Sequence, residues 1–123
     1  MTILFVCTGN TCRSPMAMAL FRLKGTDVKA ESAGIFAQNG QPASAEAVIA
    51  CQKLGADLSG HKSRRITPEI IADADIIAAM TASHKFQLLL NGCPQEKIFT
   101  LSELTDIPGD IPDPFGQSPE IYY

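Results

Sequence analysis

A cysteine and an arginine near the start of the chain form the pair of residues best suited to chemistry. They are Cys7 and Arg13, in the segment Cys7-Thr8-Gly9-Asn10-Thr11-Cys12-Arg13-Ser14-Pro15. A guanidinium group offers a planar set of donors that matches two oxygens of a phosphate group. A thiolate is a strong nucleophile, and a neighbouring arginine favours the thiolate over the thiol. The pair therefore predicts nucleophilic attack on phosphorus.

The residues around this pair predict a strand, a tight loop and a helix. Thr2–Val6 is an apolar run with β-branched and aromatic residues, which is typical of a buried strand. A helical pattern follows, for which we expect Ser14 as N-cap and Pro15 at the first helical position. Gly9 and Asn10 tolerate the left-handed backbone that a tight loop needs. Loop N–H groups and the helix N-terminus would then surround one bound anion.

The alternative interpretation is a buried structural cysteine with an unrelated surface arginine, since buried cysteines are common. The serine after Arg13, together with the flanking strand and helix, favours a functional site. A Walker-type nucleotide-binding loop is excluded because the segment lacks a Gly-Lys-Ser/Thr ending.

Composition excludes several other classes of protein. The chain has 123 residues, which predicts one domain spanning residues 1–123. Its net charge of −3 does not suggest a nucleic-acid partner. It has no apolar run near the ~20 residues of a membrane helix, and its first apolar run is too short for a secretion signal. We therefore expect a cytoplasmic protein without nucleic-acid or membrane partners.

The rest of the sequence alternates predicted strands with predicted helices. The strands are Asp27–Gly34, Ala74–Met80 and Lys97–Leu101, and the helices are Ala43–Leu54, Pro68–Ala72 with Thr67 as cap, and Ser83–Leu90. This alternation predicts right-handed βαβ units and a parallel sheet. Such sheets bind ligands at the carboxyl ends of their strands, where Cys7 is expected. The closing stretch, Asp106–Tyr123, is rich in proline and is predicted to be a loop.

The segment from Cys7 to Pro15, at the extreme N-terminus, resembles the signature of the low-molecular-weight protein tyrosine phosphatase family. The similarity continues through Ser32-Ala33-Gly34, Gly60-His61, Ala79-Met80-Thr81 and Asp113-Pro114-Phe115-Gly116. With Thr11 between Asn10 and Cys12, the segment is most similar to the bacterial protein-arginine phosphatase branch.

The resemblance implies an α/β three-layer sandwich, in which a four-stranded parallel sheet of order 2-1-3-4 carries helices on both faces. Family members continue into a further C-terminal helix. We expect that this chain, which stops at Tyr123, lacks that helix.

The resemblance also implies roles for individual residues. Cys7 would form a cysteinyl-phosphate, Arg13 would bind the phosphoryl group, and Asp113 would act as general acid and then activate water. The substrate-binding residues would be Thr8, Gly9, Asn10, Thr11, Cys12, Ser14 and Phe115. Ser32 and His61 would support the loop.

Some of these assignments have rivals on sequence alone. Asp113 precedes a proline, which on sequence alone favours an ordinary turn, and Asp106 and Asp110 are alternative acids. The second histidine, His84, is interpreted as an ordinary core or surface residue.

Three functions fit these residues. The first is a phosphatase that acts on a phosphorylated protein and releases inorganic phosphate, with phosphoarginine favoured by Thr11 and phosphotyrosine as the alternative. The second is an arsenate reductase, which needs further cysteines, although only Cys93 follows Met80. The third is a non-catalytic phosphate-binding module, which would be expected if Cys7 or Arg13 were replaced.

No metal or cofactor is expected for any of these functions. The thiolate, the arginine and the loop N–H groups supply the charge stabilisation that a phosphoryl group needs. The four cysteines include no second Cys/His pair at the spacing of a zinc site.

Overall fold

The computed structural model describes residues 1–23, 25 and 27–100. Asp113, Phe115 and the predicted loop Asp106–Tyr123 therefore lie outside the described residues. The elements in chain order are β1 (Thr2–Cys7), α1 (Arg13–Arg22), β2 (Lys29–Gly34), α2 (Ala45–Lys53), α3 (Pro68–Asp73), β3 (Ile76–Ala79), α4 (Ala82–Leu90), a 3-10 turn (Gln95–Lys97) and β4 (Ile98–Thr100). Within the described ranges, no helix is long and apolar enough to cross a membrane.

The four strands form one parallel sheet in the order β2-β1-β3-β4, which confirms the predicted order. Strand β1 is paired on both sides, with Cys7 opposite Gly34 of β2 and Val6 opposite Ala79 of β3. The chain runs from β1 to a neighbour on one side and later crosses to the other. The carboxyl end of β1 is therefore the switch point at which α/β sheets bind ligands.

Helices cover both faces of the sheet, which confirms the three-layer sandwich. Side chains alternate along β1, so that Ile3 and Phe5 face one core while Leu4 and Val6 face the other. The first core contains residues of α1 and α2, and the second contains residues of α3 and α4. The rings of Phe5 and Phe21 lie 5.8 Å apart at their centroids and join α1 to β1.

Helix α1 begins two residues earlier than predicted. Its N-cap is Cys12, which forms no side-chain cap, and the first helical hydrogen bond runs from the N–H of Met16 to the Cys12 carbonyl at 3.1 Å. Ser14 is fully buried, and its hydroxyl contacts the sulfur of Cys7 instead of capping the helix. Pro15 is consequently the third helical residue. The N–H groups in the first turn of a helix have no acceptor within the helix, so the missing N–H of Pro15 costs no hydrogen bond.

Gly34 ends β2 where the backbone of the loop after β1 comes closest. A Cβ atom at this position would lie 2.6 Å from the Thr8 carbonyl oxygen and 2.9 Å from the Asn10 nitrogen. Both contacts are with backbone atoms, which cannot swing aside as a flexible side chain could. The glycine therefore allows the loop to pack against the end of β2.

We expect Gly34→Ala to lower the free energy of unfolding by about 1–3 kcal/mol, the usual cost of forcing an extra carbon into a packed site. Urea denaturation would measure the loss. Gly60→Ala is the matched control, because a Cβ there meets no atom within 4 Å. An equal loss in the two variants would contradict the close-approach explanation.

Candidate active site

The sulfur of Cys7 lies at the carboxyl end of β1, and this residue is only 3% exposed. The Ser14 hydroxyl oxygen is 2.9 Å from the sulfur. The backbone N–H of Asn10 also donates to the sulfur, with a nitrogen–sulfur distance of 3.3 Å. The loop thus folds back over the sulfur.

The direction of the hydrogen bonds around the sulfur follows from Arg64. Its backbone N–H can only donate, and it donates to Oδ1 of Asn10 at 2.8 Å. This contact fixes the amide orientation of Asn10, so that its Nδ2 donates to the Ser14 hydroxyl oxygen at 2.9 Å. The Ser14 proton is then available to the sulfur of Cys7. A thiolate at Cys7 would therefore accept hydrogen bonds from both Ser14 and the Asn10 N–H.

Asn10 is the residue around which the loop turns. It is fully buried and has a φ of 57°, in the left-handed region that asparagine tolerates better than most residues. Its carbonyl oxygen accepts a hydrogen bond from Nε2 of His61 at 2.8 Å. Because a carbonyl can only accept, His61 must carry a proton on Nε2.

Neighbouring segments hold the backbone of the loop in place from outside. The N–H of Ile35 donates to the Cys7 carbonyl at 2.9 Å, and the N–H of Phe36 donates to the Thr8 carbonyl at 3.0 Å. The N–H of Ser44, the N-cap of α2, donates to the Thr11 carbonyl at 2.7 Å. The outward carbonyl groups are therefore satisfied by the fold.

The loop encloses a cavity of about 300 Å³. It is lined by Cys7, Thr8, Gly9, Asn10, Thr11, Cys12 and Arg13. Among the described residues, no acceptor receives the backbone N–H of Gly9 or of Thr11. Donors in a loop at the uncapped start of a helix suit an anion with several oxygens.

A larger cavity of about 430 Å³ lies beside the loop, between the end of α1 and the 57–64 segment. Its polar lining includes Glu31, His61 and Arg64 and contains no cysteine. The smaller cavity is therefore the candidate active site, since it holds a nucleophile beside an arginine.

The residues expected to support the loop lie close to it. His61 bonds Asn10 directly. The Ser32 carbonyl accepts from Nε of Arg64 at 2.8 Å, and the backbone N–H of Arg64 in turn bonds Asn10. Ser14 lies behind the sulfur and does not line the cavity. Asp113 and Phe115 lie outside the described residues.

Sequence reasoning missed Arg64. The Arg64 guanidinium contacts Glu31 at 3.0 Å, and Glu31 also pairs with Lys29 at 3.1 Å. Burial acts to raise the pKa of the Glu31 carboxyl, but the hydrogen bonds from Lys29 and Arg64 outweigh it and lower that pKa. Glu31 is therefore ionised at neutral pH and anchors Arg64. No spacing signal could have found this contact, because it joins distant parts of the chain.

A buried cysteine within an anion-binding loop, at the switch point of a parallel α/β sheet, defines a cysteine-based phosphatase architecture. The family model for low molecular weight phosphotyrosine protein phosphatases matches residues 2–123. The chain belongs to this family.

Relatives with two different names are about equally similar to the chain. A protein-arginine-phosphatase from Bacillus subtilis is 45% identical over 129 residues, which cover 99% of this chain and 85% of the relative. A crystal structure of a low molecular weight protein tyrosine phosphatase from T. tengcongensis is also 45% identical, with a TM-score of 0.89 and coverage of 99% of this chain and 87% of the other.

One further structure bears on the nucleophile. It is a Cys-to-Ser variant of the YwlE arginine phosphatase with a phosphorylated active-site serine. It is 44% identical, with a TM-score of 0.91, and the match covers 99% of this chain and 84% of the other.

We expect Asn10→Asp to slow alkylation of the Cys7 thiol by iodoacetamide about 10- to 100-fold, since a hydrogen bond to a charged group is worth roughly 1.5–3 kcal/mol. Aspartate keeps an acceptor for Arg64 but loses the Nδ2 donor, so the Ser14 proton turns to the new carboxylate. Mass spectrometry would follow the modification at Cys7.

Asn39→Asp is the matched control, because Oδ1 of the exposed Asn39 accepts from the backbone N–H of Arg65 at 2.7 Å, in the same way as Asn10 accepts from Arg64. The control should keep the wild-type rate. Unchanged alkylation in Asn10→Asp would rule out the inferred direction of the hydrogen bonds.

Proposed function

We propose that this protein hydrolyses phosphoarginine in phosphorylated proteins through a cysteinyl-phosphate on Cys7. The observation that carries the proposal is the sulfur of Cys7 at the base of the loop, with hydrogen bonds directed to it from Ser14 and Asn10. The similar arginine phosphatase that holds a phosphorylated serine after a Cys-to-Ser substitution supports a covalent intermediate.

In the first step, the phosphoryl oxygens bind the N–H groups of the loop and the Arg13 guanidinium. The Cys7 thiolate attacks phosphorus, a sulfur–phosphorus bond forms, and the phosphorus–nitrogen bond to the substrate breaks. Asp113 donates a proton to the departing guanidino nitrogen. The loop donors stabilise the charge that develops on the oxygens.

In the second step, the Asp113 carboxylate takes a proton from water, and the hydroxide formed attacks phosphorus. The sulfur–phosphorus bond breaks, inorganic phosphate leaves, and the Ser14 hydroxyl stabilises the returning thiolate. The residues of this chain supply every proton and charge in the scheme, so we propose that it needs no metal or cofactor. Phe115 is proposed to contact the substrate beside Asp113.

The choice of phosphoarginine depends on Thr11, because relatives of both kinds reach 45% identity to the chain. Thr11 lines the cavity, and a Cβ added at Gly9 would lie 3.7 Å from its hydroxyl oxygen. The hydroxyl thus borders the space above the loop. A polar guanidino group close to phosphorus suits this hydroxyl, whereas the flat apolar ring of phosphotyrosine suits an aliphatic side chain.

Phosphotyrosine is the second candidate substrate, and Phe36 is the observation that favours it. Its side chain is 62% exposed, and its N–H bonds the Thr8 carbonyl at the rim of the loop. The Arg65 guanidinium lies 6.0 Å from the ring centroid. An exposed aromatic ring at this position could stack on a tyrosine ring.

Arsenate reduction has less support. It would need a thiol relay after the loop, and Cys93 is only 5% exposed, within the second core. Burial raises the pKa of the Cys93 thiol, which keeps it protonated and unreactive. We also propose that the protein acts in the cytoplasm and binds no nucleic acid, in line with its net charge of −3.

We expect Cys7→Ser to abolish turnover of para-nitrophenyl phosphate and of phosphoarginine while tungstate binding survives, because the loop remains without its nucleophile. Activity of Cys7→Ser within tenfold of wild type would refute the covalent mechanism.

In the same assays, Asp113→Asn should lower the turnover rate of substrates with poor leaving groups by ~10²–10⁴-fold, which is the usual contribution of general acid catalysis. If Asp110→Asn lowered the turnover rate and Asp113→Asn did not, the general acid would be Asp110 and not Asp113.

We expect Thr11→Ile to lower kcat/KM for phosphoarginine and raise it for phosphotyrosine, since one methylene in a tight pocket changes the ratio of kcat/KM values for two substrates by ~10–200-fold. Both substrates would be assayed side by side. Thr2→Ile, at the opposite end of β1, makes the same chemical change away from the loop and should leave the ratio unchanged. If Thr11→Ile also left the ratio unchanged, the selectivity would have to come from elsewhere and phosphotyrosine would become the first candidate.

A further inference from the structure

His84 is buried beside the loop, on the side of β1 that faces β3. It lies in the first turn of α4 and is 4% exposed. Its Nε2 is 2.9 Å from the Thr8 hydroxyl oxygen, and its Nδ1 is 3.1 Å from the Thr81 hydroxyl oxygen. His84 is thus a core histidine with both ring nitrogens hydrogen-bonded, as the sequence interpretation had it, and one of its partners is a residue of the candidate active site.

We propose that His84 is a positioning residue that orients the Thr8–Gly9 peptide for oxyanion binding. The proposal depends on the phosphate-binding role proposed for the loop. It concerns a residue that does not itself line the cavity, so His84 would act through Thr8.

The His84 ring is itself held firmly. Thr81 is the N-cap of α4, and its hydroxyl oxygen accepts from the backbone N–H of His84 at 3.2 Å. A hydroxyl can both donate and accept, so either tautomer of the ring satisfies Thr8 and Thr81 together. The ring therefore ties Thr8 to the start of α4 whichever nitrogen carries the proton.

Thr8 is held from two opposite sides of β1. On the side of β2, its carbonyl oxygen accepts from the N–H of Phe36 at 3.0 Å. On the side of β3, its hydroxyl bonds Nε2 of His84. Thr8 is otherwise exposed, and an exposed threonine side chain without such a bond would sample several rotamers.

Fixing Thr8 also fixes the donor that follows it. The peptide unit is planar and its N–H points opposite to its C=O. Since the Thr8 carbonyl points to Phe36, the N–H of Gly9 points away from Phe36. In the described part of the chain this N–H has no acceptor, so it is available to a bound oxyanion. A small rotation of this peptide would misdirect the donor.

Two substitutions of His84 separate its two contacts. Glutamine places its terminal amide near the position of Nε2 and can still reach Thr8, whereas asparagine reaches only to the position of Nδ1 and Thr81. Thr8→Val removes the hydroxyl without changing the shape of the side chain, and Thr8→Ser restores a hydroxyl. Thr2→Val is the matched control for Thr8→Val, at the far end of β1.

The experiment measures tungstate affinity by calorimetry, kcat and KM for para-nitrophenyl phosphate, and Tm for each variant. We expect His84→Asn and Thr8→Val each to weaken tungstate binding and lower kcat/KM by about 10- to 100-fold, the effect of a misplaced donor. We expect the double variant to be no worse than either single variant, because both remove the same contact. His84→Gln should stay near wild type, and so should Thr2→Val, whereas Thr8→Ser should recover most of the loss seen in Thr8→Val.

Two results would overturn the proposal. One is that the losses of tungstate affinity in the two single variants add up in the double variant. The other is that tungstate affinity falls only in proportion to Tm, so that His84→Gln binds tungstate as weakly as His84→Asn. Failure of the proposed function is a separate outcome, in which the wild-type protein binds tungstate but turns over no phosphorylated substrate. In that case the tungstate affinities of the variants still test the role of His84.

Discussion

The site depends on one buried residue, Asn10, whose polar groups are all used. Its N–H donates to the Cys7 sulfur, its carbonyl accepts from His61, its Oδ1 accepts from Arg64, and its Nδ2 donates to Ser14. A buried polar group without a partner costs about 1–3 kcal/mol, so each of these contacts is needed once the residue is buried. The left-handed backbone at Asn10 is tolerable because the surrounding structure imposes it. One residue thereby joins the nucleophile, the first helix and the segment after α2.

The position of β1 in the sheet allows these contacts to form. Because β1 lies between β2 and β3, segments that follow both neighbours reach the loop at its carboxyl end. Ile35 and Phe36 arrive from one side and His84 from the other. Gly34 removes the side chain that would otherwise keep the loop and β2 apart. The loop is therefore held by contacts within the protein, and donors held in place in this way stabilise developing charge most effectively.

In the proposed function, chemistry and substrate choice reside in different parts of the loop. The buried side holds the sulfur and its donors, which would serve any phosphoryl group. The rim carries Thr11 and, through its bond to Thr8, the exposed Phe36. Two relatives at the same 45% identity to this chain carry different substrate names, so overall identity does not decide the substrate. Under this proposal, a substitution at the rim would change the preferred substrate without disturbing the nucleophile.

The sequence by itself determined the local features of this protein. The strand, the loop and the helix around Cys7 are contiguous, and the alternation of apolar segments along the chain predicted each further strand and helix and the parallel sheet. The roles assigned to Asp113 and Phe115 stay predictions.

Tertiary structure alone decided that α1 begins at Arg13, because the Ser14 hydroxyl bonds the sulfur. It also decided the contacts of Arg64 with Asn10 and of His84 with Thr8, which span 54 and 76 residues. Such contacts have no spacing signal, because strand pairing and the turns after each strand bring the partners together.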